Sequence, residues 1–248
     1  MKAIAIVLVL LIASVSTLSP RSHQAEFEEA NRLYSQGRYR DALAAYQRLE
    51  KSVSSWKVYF NTGNALYKLN RPLEAKVCFL RARKWKPAST EIETNIQIVN
   101  RHFKDRIPAQ KRDFFTDIYL RIESILNHTI LISLLFFFAF LLNLFLFFLL
   151  KGRRTRIIIY GAAVSLLLFA LSLTIAITHQ NRLKASDTAV IKTETAEIRS
   201  GPGRENTVLF KVNCGLELKI REKNQDWVQV SASNQIAGWI EADSLQEI

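Results

Sequence analysis

Apolar and polar positions follow three different patterns along this chain, and each predicts a different kind of element. From Thr129 to Leu150, and again from Ile157 to Thr178, there is no alternation: each run holds 22 residues without an Asp, Glu, Lys or Arg. At a rise of ~1.5 Å per residue such a run extends ~33 Å as a helix, enough for the hydrocarbon core of a bilayer. The six residues between them, Lys151-Gly152-Arg153-Arg154-Thr155-Arg156, carry four positive charges. A short basic loop stays on the cytoplasmic side. The pattern therefore predicts a transmembrane helical hairpin, with 129–150 and 157–178 as spans and 151–156 as a cytoplasmic loop. Both flanking segments then lie across the membrane. Asn143 is the only amide inside the spans, and no ionisable group accompanies it, so the hairpin reads as an anchor and not an ion pathway. Gly161, Ala162 and Ser165 are small enough for a partner helix to approach closely, although small residues are common in any membrane helix.

The N-terminal residues agree with this orientation. Lys2 precedes an apolar stretch from Ala3 to Ala13 and then Ser14-Val15-Ser16-Thr17-Leu18-Ser19, the layout of a secretory signal peptide over 1–19. Cleavage after Ser16, Thr17 or Ser19 would release it. An uncleaved signal anchor would add a third span and leave the sidedness of everything downstream unchanged.

Over 25–104 the apolar residues recur with helical spacing, and the segment matches itself at an offset of 33 residues: Ala30 with Gly63, Leu33 with Leu66, Tyr34 with Tyr67, Ala42 with Ala75, Tyr46 with Phe79. Each copy holds two helical patterns, the first ending near Gly37 or Asn70, the second running from Tyr39 or Pro72 through Leu49 or Ala82. Small residues at matched positions let paired helices approach, and aromatics fill the space between pairs. The second copy, with Tyr59, Gly63, Tyr67, Ala75, Phe79, Ala82 and Pro87, resembles the tetratricopeptide repeat; the first lacks the large residue near Glu26 and the final proline. Two repeats leave an open apolar face. Ser89 to Lys104 supplies a covering helix, with Ile92, Ile96, Val99 and Phe103 on one side and Ser89 or Thr90 as N-cap. The resemblance implies a groove lined by the first helix of each pair, on or near which Asn31, Asn61, Asn64 and Asn95 fall. Asparagine offers donors and an acceptor to an extended peptide backbone, although ordinary solvated positions would look the same in sequence. Lys57, Arg81, Arg83, Lys84 and Lys86 would favour an acidic partner or form a solvated face. The following 105–127 segment is amphipathic. Phe115, Ile118, Tyr119, Ile122, Ile125 and Leu126 line one side, which suits either an interfacial helix or an extension of the first span.

From Asp187 onward the pattern shortens to a period of two. Strands are predicted over Ala189–Lys192, Ala196–Arg199, Val208–Val212, Glu217–Glu222, Trp227–Val230 and Gly238–Ile240, with breaks at Asn224-Gln225-Asp226 and Ser233-Asn234. Glu197-Ile198-Arg199-Ser200-Gly201-Pro202-Gly203, then Gly215, Asp226-Trp227-Val228-Gln229-Val230 and Gly238-Trp239-Ile240 resemble the bacterial SH3 domain over 187–248 in order and spacing. That resemblance implies binding of peptides or cell-wall peptide stems. Trp227 and Trp239 are the candidate ligand residues, with core or barrel-edge packing as the alternative, and Arg199 is expected to brace its loop.

Charge and cysteine content refine the picture. The net charge of +12 is concentrated in 25–103 (14 basic, 8 acidic) and in 128–186, whereas the tail from Asp187 is net −3. Much of the basicity is thus topology signal, and a nucleic-acid partner is disfavoured for domains outside the cytoplasm. Cys78 and Cys214 fall in different domains, so pairing them would require those domains to dock; unpaired thiols are expected. His23, His102, His128 and His179 show no ligand spacing, so no metal or cofactor is expected. The sequence lacks a Gly-rich phosphate loop and a nucleophile–base constellation, and a non-enzyme is expected. The expected fold class is a multi-domain membrane protein: an all-α tetratricopeptide solenoid, a transmembrane helical hairpin and an all-β SH3-like barrel. In this order the parts resemble the E-type (BatE) proteins of the Bacteroides aerotolerance group. The resemblance implies a periplasm-facing inner-membrane scaffold beside von Willebrand factor A domain Bat proteins and a MoxR-type ATPase in stress tolerance. The alternative is a peptidoglycan-binding module that recruits cell-wall synthases or hydrolases.

Overall fold

The computed structural model of the 248-residue chain describes residues 20–105, 118, 128–152, 155–184, 187–232 and 236–248. The expected leader 1–19, the 105–127 linker apart from Asp105 and Ile118, loop residues 153–154 and the Ser233-Asn234 break lie outside the described residues.

Five helices open the structure: α1 (Pro20–Ser35), α2 (Tyr39–Glu50), α3 (Trp56–Lys68), α4 (Pro72–Trp85) and α5 (Thr90–Asn100). The internal repeat is present in the backbone as well as in the letters. Gly37 (φ 75°) and Asn70 (φ 58°), one period apart, both turn left-handed after a first helix. In each copy the same pair of 3.0 Å bonds satisfies the last carbonyls: Arg38 N–H to Leu33 and Gly37 N–H to Tyr34, then Arg71 N–H to Leu66 and Asn70 N–H to Tyr67. The next helix begins with an arginine–carboxylate pair, Arg38–Asp41 or Arg71–Glu74. Inside, the matched pairs Ala42 and Ala75, and Tyr46 and Phe79, are all buried. A Cβ on Gly63 would stand 2.7 Å from the Phe79 ring, so α3 and α4 touch where a side chain would separate them. Ser89 caps α5 by accepting from the Ile92 N–H, and Ile92, Ile96, Val99 and Phe103 bury the predicted face.

Two long helices follow, α6 (His128–Leu150) and α7 (Arg156–Lys184), packed along each other. Their apolar windows, Ile132–Leu150 and Arg156–Thr178, have mean hydropathies of 2.7 and 2.3 and are 0% and 11% buried. Such a surface, with Phe136, Phe140, Leu150 and Ile157 largely exposed, suits lipid and not water. Both helices are long and apolar enough to cross a membrane. Polar side chains within them bond their own helix: Asn143 Nδ2 to the Ala139 carbonyl, Ser172 Oγ to Phe169 and Thr174 Oγ1 to Ala170. The Phe145 ring lies against Gly161, where a Cβ would come within 2.6 Å.

The C-terminal region is one antiparallel sheet of seven strands: β1 (Thr188–Ile191), β2 (Thr195–Arg199), β3 (Val208–Asn213), β4 (Glu217–Asn224), β5 (Trp227–Ala232), β6 (Ile236–Glu241) and β7 (Leu245–Glu247). Their order is β3-β2-β6-β5-β4-β1-β7. Asn224 pairs with Trp227, which leaves Gln225-Asp226 as a two-residue turn with Gln225 at φ 52°. Six strands lie where the alternation predicts. The seventh, a three-residue strand on β1 after a 3₁₀ turn at Ala242–Ser244, was not predicted.

Two cores result, and they meet. One sits among the helices; the other contains Ile191, Ile198, Leu218, Val230 and Ile240 of the sheet. On β1, Ala189 and Ile191 face the sheet's core while Val190 between them belongs to the helical core, with Cys214 and Ile248 packed beside it. The helical and sheet regions therefore dock. Cys78 and Cys214 nonetheless are both free thiols.

Candidate functional site

On the helical side, the four candidate asparagines assemble into two rungs. Asn61 Nδ2 of α3 donates to Asn31 Oδ1 of α1 at 2.8 Å, and Asn95 Nδ2 of α5 donates to Asn64 Oδ1 of α3 at 2.9 Å. Asn31 and Asn64 are one period apart, so the rungs link successive first helices at equivalent positions. The Tyr46 hydroxyl of α2 also donates to Asn31 Oδ1, at 2.7 Å. Burial pushes that phenol up to about 12, with the neighbouring Tyr34 adding to the rise and a hydrogen bond from Asn61 opposing it. All four asparagines are half-buried. Part of their bonding capacity holds helices together, while the Asn31 and Asn64 amide groups and the Asn61 and Asn95 carbonyls keep capacity for a ligand.

The basic residues of α4 and its surroundings are less available than their number implies. Lys86 stands over the Trp56 ring at 4.0 Å, Arg83 pairs with Glu217, and Lys84 Nζ donates to the Ile248 carbonyl at 3.2 Å. Structural use, not an acidic partner, accounts for these three.

In the sheet, strand alternation decides where the tryptophans point. On β5 Val228, Val230 and Ala232 are buried and on β6 Ile240 is buried, so Trp227 and Trp239 project from the opposite face. Neither indole belongs to the sheet's core cluster and both are half-buried, an arrangement that suits barrel-edge packing as well as a ligand role. Trp227 stands opposite Glu241 and Trp239 opposite Gln229. This makes the indoles diagonal neighbours on one face. Neither indole N–H has a hydrogen-bond partner among the described residues. Arg199, opposite Trp239 on β2, donates through Nη1 to the carbonyls of Arg204 and Asn206, each at 2.7 Å, and through Nη2 to Glu197. It braces the 200–207 loop, as expected. Arg204 on that loop donates to Glu241 at 2.7 Å. The result is an apolar platform of two indoles edged by two arginine–carboxylate pairs. Such a platform stacks against planar or apolar ligand groups and offers two N–H donors to carbonyl oxygens.

Residues 194–246 match the family profile of the bacterial SH3 domain. The match takes in both tryptophans, Arg199 and the loop it braces. It marks this region as a peptidoglycan- or protein-binding module. No curated protein matches the chain.

Proposed function

We propose that the chain is a non-catalytic membrane scaffold that presents two binding modules on the periplasmic side of the inner membrane. The first is the helical array, read as two tetratricopeptide repeats with a capping helix and a ligand groove along the asparagine rungs. The second is the SH3 region, whose ligand lies across Trp227 and Trp239. The observation that carries this reading is the outward indole platform in a bacterial SH3 region that follows two membrane-length helices. The basic loop between those helices supports a cytoplasmic turn, and the order of parts supports a role in a Bat-type stress-tolerance complex with von Willebrand factor A domain proteins and a MoxR-type ATPase. The 1–19 leader is read as a cleaved signal peptide.

A second reading has its own support. Indole platforms also stack against sugar rings and peptide stems, so the same face suits peptidoglycan, with the helical array recruiting a wall synthase or hydrolase. Purification of the tagged chain from its native membrane in mild detergent, against a control carrying only the hairpin, separates the two. Co-purifying A-domain proteins and ATPase support the scaffold; wall enzymes or muropeptides without them support the wall module. In either case Trp227→Ala and Trp239→Ala should each weaken capture on the order of tenfold or more, because a central aromatic of an interface is worth ~2 kcal/mol or more. Both indoles lie outside the core, so the variants should stay folded. Capture unchanged by both would remove the platform from the binding site.

A further inference from the structure

We infer that the SH3 region has a second binding surface, made by β1 and the β3–β4 turn, whose partner is the α4–α5 end of its own chain. The two membrane helices are then an excursion from within one folded body. The inference stands independently of what the tryptophan platform binds.

Several contacts of different chemistry converge on the junction. Lys76 of α4, only 4% exposed, donates to the Gly215 carbonyl at 2.7 Å, across 139 residues of sequence, and to Asn100 Oδ1 at 2.5 Å. Its ammonium also stands 5.4 Å from the centre of the Phe103 ring. Asp105 accepts twice from Asn213, from the backbone N–H at 2.6 Å and from Nδ2 at 2.9 Å. Arg83 pairs with Glu217, and Val190 fills the helical core from the sheet side.

Gly215 shows how closely the surfaces fit. A Cβ there would lie 2.3 Å from the Phe103 ring, and its φ of 84° already suits glycine alone. The turn is shaped for the ring beneath it. Lys76 makes the same point from the other side. A lysine this buried is tolerated only with partners, and one of its two acceptors belongs to the SH3 region. Separated, the helical array would expose the apolar site of Val190, and the sheet would expose β1, buried on both faces.

Docking requires both regions to share a compartment, so the chain between them crosses the membrane an even number of times. It also fixes the asparagine rungs and the tryptophan platform in one frame.

The test uses the full chain in its native membrane. Asp105→Cys with Asn213→Cys, in a Cys78→Ala, Cys214→Ala background, should form an intrachain disulfide on mild oxidation, seen as a reducible mobility shift. A control pairing Asp105→Cys with Lys223→Cys should not. Failure of the first pair to exceed the control, or a disulfide joining two chains, would overturn the inference. A charge exchange checks it without cysteine. Arg83→Glu should speed amide exchange over 213–217 about fivefold, and adding Glu217→Arg should restore slow exchange. Exchange unaffected by Arg83→Glu would equally overturn it.

Discussion

Asn31 and Asn95 occupy similar rungs but carry different loads. Asn31 Oδ1 accepts from both Tyr46 and Asn61, whereas Asn95 makes a single bond to Asn64. Asn31→Ala strands a hydroxyl and an amide in a half-buried site and should cost ~2 kcal/mol; Asn95→Ala should cost ~1 kcal/mol or less. The comparison is read from thermal unfolding of the full chain in mild detergent, and equal midpoints would show that Asn31 contributes no more to stability than Asn95. Asn95→Ala is consequently the cleaner probe of the proposed groove, since it costs the fold less. Asn70 gives a complementary prediction. It holds the left-handed turn that glycine holds at Gly37 in the other copy. Asn70→Gly should therefore stabilise by ~0.5 kcal/mol, and Asn70→Val should destabilise by ~1 kcal/mol or more, because a β-branched residue pays most for positive φ.

Among elements, the membrane pair makes the sharpest structural prediction. Phe145 rests on Gly161, and a Cβ there would enter the ring. Gly161→Leu should part α6 from α7, lowering the yield of an engineered cross-link between the helices, while Ala162→Leu should have a smaller effect; an unchanged yield would show that the helices do not pack at Gly161. That small residue was visible in the sequence, but its partner was not, because the first span is Phe- and Leu-rich throughout and offers no cue as to which ring faces inward. The soluble elements divide in the same way. Helices α1 to α5 were legible because apolar spacing, a 33-residue repeat over the first four and the Ser89 cap of the fifth all pointed to one answer. The six longer strands were legible from alternation and turn residues. β7 was not, since three residues are too few to show a period. The positions of the two tryptophans were plain in the sequence, but the face they share was not. Their outward orientation depends on Val228, Val230 and Ile240 claiming the inward positions, which alternation implies only once the register between β5 and β6 is fixed. The clue to docking was the run Thr188-Ala189-Val190-Ile191, apolar on both faces of a strand, which requires cover on both sides. The buried stretch Ala75–Leu80 contained a second clue in Lys76, a charge where the helical period demands an apolar residue.

At the scale of the whole molecule, that lysine makes docking sensitive to pH in a direction opposite to a simple salt-bridge expectation. Burial lowers the Lys76 ammonium to about 8 from an ordinary 10.5; Arg83 on its own helix lowers it further, while Glu217, Cys214 and Glu93 act to raise it. Below about pH 8 the lysine is charged whether the regions are docked or apart, so its desolvation weighs on the docked state. Between about 8 and 10.5 the separated state still holds a proton that the docked state has released. Docking therefore strengthens as pH rises through this window, and the gain is lost again as pH falls through 8. The neutral amine retains two N–H donors for Asn100 and Gly215, so deprotonation does not break the contact. The gain is on the order of 3 kcal/mol at most, and smaller where the separated lysine stays partly covered by its own helix. Cys78 and Tyr46 work the other way. Burial raises each to about 12, so both destabilise the fold as the medium becomes alkaline. The difference in unfolding free energy between the wild type and Lys76→Met cancels their contributions. That difference should move in favour of the wild type between about pH 7 and about pH 10, and a flat or opposite trend would mean that Lys76 does not titrate across a closed junction. A body closed over a partly desolvated lysine is therefore not maximally stable at neutral pH. A ligand bridging the asparagine rungs and the tryptophan platform would stabilise the docked form by an amount set by its free concentration relative to its Kd.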